Sequence, residues 1–234
     1  MKLVKWEDLP AKMQKEEVRP YYDSLSDKRV QLCAKRTFDF MASAAMTVVL
    51  SPVLAGVAVA IKADSEGPVF YRQTRVTQYG KEFKIFKFRS MVTDADKIGS
   101  LVTVSNDKRV TKVGRFIRKY KIDELPQLFN ILSGDMTLVG TRPEVPKYVD
   151  QYSDEMMATL LLPAGVTSLA SIYYKDENNL LDDAEDVDAV YMETILPDKM
   201  KWNLKAIKDF SFFGDIKLMF MTVLAAAGKD YEAK

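Results

Sequence analysis

A chain of 234 residues with 47% hydrophobic content is long enough for one core, or one domain with an anchor, and its composition argues against disorder over the whole length. Its 34 basic and 33 acidic residues leave a formal charge of +1, and it has no histidine, which removes a Ser/His triad, a histidine general base and every histidine-containing metal site. The single cysteine, Cys33, cannot make an internal disulfide or a cysteine zinc cluster and suits a reducing compartment.

Residues 1–26 are polar and charged, with Pro10 and Pro20, and lack the apolar run of a secretory signal; Trp6, Tyr21 and Tyr22 suit a membrane interface. The chain divides into 1–34, a polar and basic extension, 35–62, a re-entrant membrane helix, and 63–234, a cytoplasmic domain with C-terminal amphipathic helices. Residues 40–61 are 22 consecutive positions without a charge, enough to span a bilayer. Ser51-Pro52 lies at the midpoint, where proline removes a backbone donor and predicts a sharp kink. A straight span would put basic clusters on both sides, against the bias of positive charge toward the cytoplasm. A re-entrant helix that enters and leaves by one face avoids this, with the Ser51 hydroxyl satisfying part of the opened backbone. A kinked span and a buried soluble helix are the other two readings.

After Gly67-Pro68, residues 69–75 read as a strand, Tyr79-Gly80 as a turn, and 83–89 as a second strand in which apolar and basic residues alternate, leaving one face positive. Helical stretches are expected around 93–98, 111–120 and 126–132. Residues 199–227 have amphipathic helical spacing, with Phe210, Phe212, Phe213 and Phe220 on the apolar side, as in a membrane-surface helix pair or a core-packed one. The fold class is therefore α/β, mostly helical with a small β-hairpin, carrying an N-terminal re-entrant membrane helix, a compact domain and amphipathic surface helices.

The chemistry concentrates between 108 and 142. Seven Lys or Arg and no acid occupy 108–121, followed by Asp123 and Glu124. Adjacent acids are common helix caps. Here Pro126, tolerated in a first helical turn, places them at a helix N-terminus, where free amides attract phosphate. Neighbouring helical residues diverge, so one acid can attack phosphorus while the other holds a divalent cation. Phosphoryl transfer needs cationic clamps, and Arg75, Lys87, Arg89, Arg115, Arg118 and Arg142 are the candidates, though each alone also reads as a solvated charge. The acidic stretch 176–188 reads as a solvated connector rather than a metal site. Near-neutral total charge and the apolar segment argue against nucleic acid.

Four motifs then carry a resemblance: Lys87-Phe88-Arg89-Ser90-Met91, the run from Asp107 through Gly114-Arg115, Asp123-Glu124-Leu125-Pro126-Gln127-Leu128-Phe129-Asn130, and the run from Gly134-Asp135 through Gly140-Thr141-Arg142-Pro143-Glu144. In this order, with Ser51-Pro52 upstream, the chain resembles the bacterial sugar transferases, the monotopic polyprenyl-phosphate phosphoglycosyl transferases, from about residue 35 to at least 177. The resemblance implies transfer of a sugar phosphate from a UDP-sugar to a polyprenyl phosphate at the cytoplasmic face of the bacterial inner membrane. It implies Asp123 as the nucleophile that forms a phosphosugar intermediate and releases UMP, and Glu124 as the ligand of Mg2+. Arg118 and Arg142 match positions near the phosphates, and Lys87 and Arg89 join them as phosphate-binding candidates. Membrane lipids are implied partners, and a homo-oligomer is left open.

The chain departs from the family pattern at Thr141, where proline is common, and at Pro163-Ala164-Gly165-Val166-Thr167-Ser168, where the family has Pro-Gly-Ile/Leu-Thr-Gly. It looks like a small member consisting of little beyond the catalytic core. The competing readings are a conventional glycosyltransferase releasing UDP and a non-catalytic, membrane-anchored anion-binding protein.

Overall fold

The structure is a computed structural model that describes residues 1, 3–95, 107–174, 186–226, 228–229 and 231. The segment set apart as an extension is part of the core. Leu3, Leu9, Met13, Val18 and Leu25 bury with Val76, Leu161, Leu204 and Ile207 in one cluster. Two 3-10 turns, Trp6–Asp8 and Ala11–Met13, and helix α1, Arg19–Ser26, carry them. These elements are too short to show a hydrophobic period, which is why composition alone hid the packing. Trp6 and Tyr22 meet edge to face at 5.2 Å with the Arg19 guanidinium 4.7 Å over the indole, so both rings serve this packing rather than a membrane interface.

Helix α2 runs without interruption from Arg29 to Asp64 with Pro52 inside it, so the expected break is not a break in the helix. Proline deprives the Val48 carbonyl of its i+4 donor, and the Ser51 hydroxyl donates to that carbonyl at 2.7 Å. This is the local satisfaction that the Ser-Pro pair suggested. Among the described residues α2 is the one helix long and apolar enough to cross a membrane, and 6% of its most apolar stretch is buried, so that stretch is not packed as a core helix of this chain. Val48 and Val49 are each 74% exposed.

Both ends of α2 are tied to the same domain. Near its start, Arg36 Nη1 donates to Ile131 O at 2.7 Å and Lys35 Nζ to Val139 O at 2.8 Å. At its end, Asp64 Oδ2 accepts from Val113 N at 2.9 Å.

Strands β1, Phe70–Val76, and β2, Glu82–Phe88, form the antiparallel hairpin, pairing Tyr71 with Lys87 and Arg75 with Phe83. Tyr79 and Gly80 turn the chain with φ of 60° and 76°. One expectation changes here: Lys87 lies on the same strand face as Phe83 and Ile85, four and two positions away, and those two residues are buried against Leu128, Ile131 and Met136. The positive group thus faces inward, beside the core, and not on a solvated face.

Helices α3, Lys112–Lys119, and α4, Gln127–Ser133, follow, near the expected 111–120 and 126–132. Strands β3, Met136–Val139, and β4, Ala164–Thr167, pair in parallel. Gly140 and Gly165 let the two chains touch: a Cβ on Gly165 would stand 2.1 Å from Gly140 N. This contact keeps the departed segment 163–168 in register with the chain that leads to Arg142, and Gly165 N donates to Thr141 O at 2.8 Å.

Short helices α5, Pro146–Val149, α6, Leu169–Tyr173, and α7, Val187–Val190, lead to α8, Leu196–Lys208, and α9, Phe212–Ala226. The apolar residues of this last pair divide. Phe210, between the helices, is buried in the core, whereas Phe213 is 80% and Phe220 68% exposed. Half of the expected helix at 93–98 and most of the acidic stretch at 176–188 lie outside the described residues. Of that stretch, Asp186 accepts from Ala189 N at 3.0 Å and Asp188 from the Tyr148 hydroxyl at 2.9 Å, which are structural roles.

Candidate active site

Helix α3 begins at Thr111, whose hydroxyl accepts from Gly114 N at 2.9 Å. It carries Arg118 and ends before Lys121, a non-glycine residue at φ 56°. That left-handed residue turns the chain into a 3-10 turn, Ile122–Glu124, and Pro126 caps α4. The dyad therefore occupies its own turn just before α4 rather than the helix's first turn, and it faces the hairpin.

Glu124 is bridged by two cations. Lys87 Nζ lies 3.0 Å from Oε1, Arg142 Nη1 donates to Oε2 at 3.2 Å, and Arg142 Nη2 donates to Oε1. Burial by itself would raise this carboxyl, but Arg142 and Lys87 outweigh it and hold Glu124 well below the usual carboxylate range. Asp123 moves the other way: burial, then the charge of Glu124, pushes it up against the pull of Lys87, Arg118 and Lys121. Asp123 is 8% exposed, and its Oδ1 has no hydrogen-bond partner. Burial also lowers Lys87, against the opposing effect of Glu124. Two adjacent acids with opposed shifts are a signature of divided roles.

Asp123 opens onto a cavity of about 550 Å³ between the hairpin, the chain after β2 and α3, lined among others by Tyr71, Arg72, Lys87, Arg109 and Arg118. Of the candidate clamps, Lys87, Arg118 and Arg142 converge on the dyad. Arg75 also lines the cavity and donates through Nη1 to Pro143 O at 3.0 Å, so it steadies the loop carrying Arg142. The same loop is held by Val76 N donating to Glu144 O at 2.9 Å and by the Tyr191 hydroxyl donating to Glu144 Oε1 at 2.6 Å.

Arg89 borders the cavity, yet its guanidinium donates to Ser65 O at 2.8 Å and to Glu66 O. It clasps the end of α2 to the hairpin. Arg115 is exposed on α3, and Ser51 and Pro52 belong to α2, away from this cavity.

Three lining or neighbouring groups escaped sequence reasoning. Tyr71 carries no motif, and only the strand register sets it opposite Lys87. Arg109 was hidden in the basic run; its pairing with Asp107 at 2.6 Å and with Ala95 O at 2.8 Å fixes it in the wall. Gln127 is 1% exposed with an unpartnered Nε2, four residues beyond Asp123 in the same motif.

The profile of the family described as bacterial sugar transferase matches residues 30–229. The chain belongs to that family. Among curated relatives of this bacterial sugar transferase, a UDP-N-acetylgalactosamine-undecaprenyl-phosphate N-acetylgalactosaminephosphotransferase of Aeromonas hydrophila is 35% identical over 86% of the chain and 45% of the relative. A UDP-glucose:undecaprenyl-phosphate glucose-1-phosphate transferase of Escherichia coli is 37% identical over 88% of the chain and 42% of the relative. One of the same name from Caulobacter vibrioides is 36% identical over 81% and 68%. The chain thus spans less than half the length of the first two.

For a metal, no group of three or more His, Cys, Asp or Glu that could hold one occurs among the described residues. The dyad instead fits magnesium, which takes one or two carboxylates and completes its shell with phosphate oxygens and water. The buried, unpartnered Oδ1 of Asp123 is a donor of that kind.

Proposed function

We propose that this chain moves a sugar 1-phosphate from a UDP-sugar to a polyprenyl phosphate, releases UMP, and so starts assembly of a membrane-linked glycan. The observation that carries the reading is Asp123, a buried carboxylate with an unpartnered oxygen at the wall of a cavity that Lys87 and Arg118 also line. An Asp123 oxygen attacks the phosphorus bonded to the sugar. As that bond forms, the bond to the bridging oxygen breaks and its electron pair leaves with UMP. An oxygen of the polyprenyl phosphate then attacks the same phosphorus; the aspartyl bond breaks, Asp123 returns as a carboxylate, and the sugar remains on a polyprenyl diphosphate.

The residues suit these steps. The upward push on Asp123 makes its carboxylate more basic, which favours nucleophilic attack. Lys87, Arg118 and Arg142 offset charge on the phosphoryl oxygens. Glu124, with the open oxygen of Asp123 beside it, would hold Mg2+, which when bound would neutralise further phosphate charge. The names of the relatives from Aeromonas hydrophila and Escherichia coli both specify undecaprenyl phosphate but differ in the sugar, N-acetylgalactosamine at 35% identity and glucose at 37%. That supports the acceptor class and leaves the sugar to a few cavity contacts.

The membrane reading is monotopic, on the cytoplasmic face of the bacterial inner membrane, with lipids around α2. It is supported by the ties of both ends of α2 to one domain, which a straight crossing would place on opposite sides. Labelling of the two termini is expected to find both on the same face, and opposite faces would refute monotopic insertion.

The functional test is nucleotide release by detergent-solubilised protein with Mg2+, polyprenyl phosphate and a panel of UDP-sugars. UMP from one donor, absent with Asp123→Asn, is expected. UDP would point to a conventional glycosyltransferase. Silence, with Asp123→Asn and Glu124→Gln tolerated in the cell, would point to an anion-binding protein.

A further inference from the structure

Glu124 is the most committed group in the site, since both its oxygens are engaged by Lys87 and Arg142. A divalent cation brought to them would meet two positive charges already in contact with the same oxygens, and like charges at that range in a partly buried site repel strongly. Its neighbour differs: Asp123 is buried, and Oδ1 has no partner. The site thus presents one free carboxylate oxygen and one carboxylate closed off by cations.

Lys87 and Arg142 are also the groups best shaped to hold a phosphate. The Arg142 fork already binds a carboxylate through two nitrogens, and phosphate presents the same spacing of oxygens. Lys87 lines the cavity with Asp123. The Nη1/Nη2 edge of Arg142 is taken by Glu124, so that edge grips an entering anion in the same two-point way only by turning from Glu124. Glu124 and the diphosphate of the donor therefore compete for the same two cations.

We infer that Glu124 is a releasable latch: a diphosphate entering the cavity takes Lys87 and Arg142 from it, and the freed carboxylate then completes, with the unpartnered oxygen of Asp123, a divalent-cation site that is closed in the free protein. This rests on the phosphoglycosyl-transfer reading for the identity of anion and metal. It makes Arg142 an antagonist of cation binding until the donor arrives. Coupling is reciprocal, so loosening the latch by mutation must open the cation site without any donor present.

The test uses Mn2+ as a paramagnetic stand-in for Mg2+, titrated into the full detergent-solubilised chain without nucleotide and followed by electron paramagnetic resonance. Wild type is expected to bind weakly and Arg142→Met at least about tenfold more tightly, within the usual range of coupling between sites. In a Glu124→Gln background, Arg142→Met should recover little of that gain, because the carboxylate it would free is gone. Lys87→Met, which releases the other cation, should shift affinity in the same direction and serves if Arg142→Met fails to fold by circular dichroism.

Three results overturn the inference: wild type binding Mn2+ as tightly as the variants, an equal gain with and without Glu124, or no binding by either single variant. The nucleotide-release assay separates this from the functional reading. UDP release with the Mn2+ pattern intact would keep the latch and remove phosphoglycosyl transfer, whereas UMP release without the pattern would do the reverse.

Discussion

Two buried clusters in this protein share a composition, a lysine with two carboxylates, and differ in how completely they are paired. At the base of α2, Lys35 Nζ contacts Asp215 Oδ2 at 2.7 Å and Asp39 Oδ2 at 3.8 Å and donates to Val139 O at 2.8 Å. Asp39 in turn accepts from the Thr137 hydroxyl and from Leu138 N at 3.4 Å. At the dyad, Lys87 meets Glu124 at 3.0 Å, while Asp123 keeps an oxygen with no partner and a cavity in front of it. The first cluster satisfies its charges with backbone and hydroxyl groups and pins α2 and α9 to β3. The second leaves one buried acceptor open, which costs stability and is retained where a ligand completes it. Residue types do not separate these two clusters; an unmet hydrogen bond with a cavity in front of it does.

The largest expected effect tests that contrast directly. Asp123→Asn should cut UMP release by about 10³-fold or more with the melting temperature and membrane association unchanged. Asp39→Asn should instead lower the melting temperature. If Asp39→Asn abolished turnover in a protein that melts normally, the division would fail. Next, Lys35→Met leaves the buried Asp39 and the partly buried Asp215 without their cation and should destabilise the fold by about 3 kcal/mol, measured by denaturant unfolding in detergent; the comparison is sharpened if Lys87→Met costs clearly less.

Arg142→Lys replaces a planar fork with a single point charge. We expect about 10²-fold slower turnover, the scale of losing one aligned donor at a developing anion, with thermal stability close to wild type. A rate within threefold of wild type would show that the bidentate geometry is dispensable. The smallest effect concerns pH. Glu124 is held below its ordinary value of 4.5, so its contribution to stability is fully present above that value and is lost as pH falls through its folded-state value. The stability difference between wild type and Glu124→Gln should therefore shrink below about pH 4.5. A difference that grows on acidification would contradict the pairing with Lys87 and Arg142.

Much of the fold was legible because its signals are local. The uncharged run at 40–61 marked α2, Tyr79-Gly80 marked the hairpin turn, and Thr111 and Pro126 marked the starts of α3 and α4. The N-terminal residues were misread as an extension since Leu3, Leu9 and Met13 sit on turns too short to repeat. Lys87 was a clamp candidate, but the strand face expected to be positive and solvated is covered around it, because alternation along a strand tells which residues share a face and not whether that face is covered. Arg89 matched a motif, but only the fold shows its guanidinium given over to the end of α2.

The sequence by itself determined the candidate groups and the anchor: a dyad in a chain without histidine, a basic run ahead of it and a proline-bearing apolar helix with a serine placed to repair it. The tertiary structure decided which cations the dyad meets. Lys87 and Arg142 lie 37 and 18 residues from Glu124 along the chain, and no helical or strand period relates positions so far apart. What brings them together is the burial of Phe83 and Ile85 against α4, which turns Lys87 inward, and the Gly140–Gly165 contact, which sets the loop of Arg142 against the parallel strand. Both are consequences of packing, and packing is a property of elements already in place.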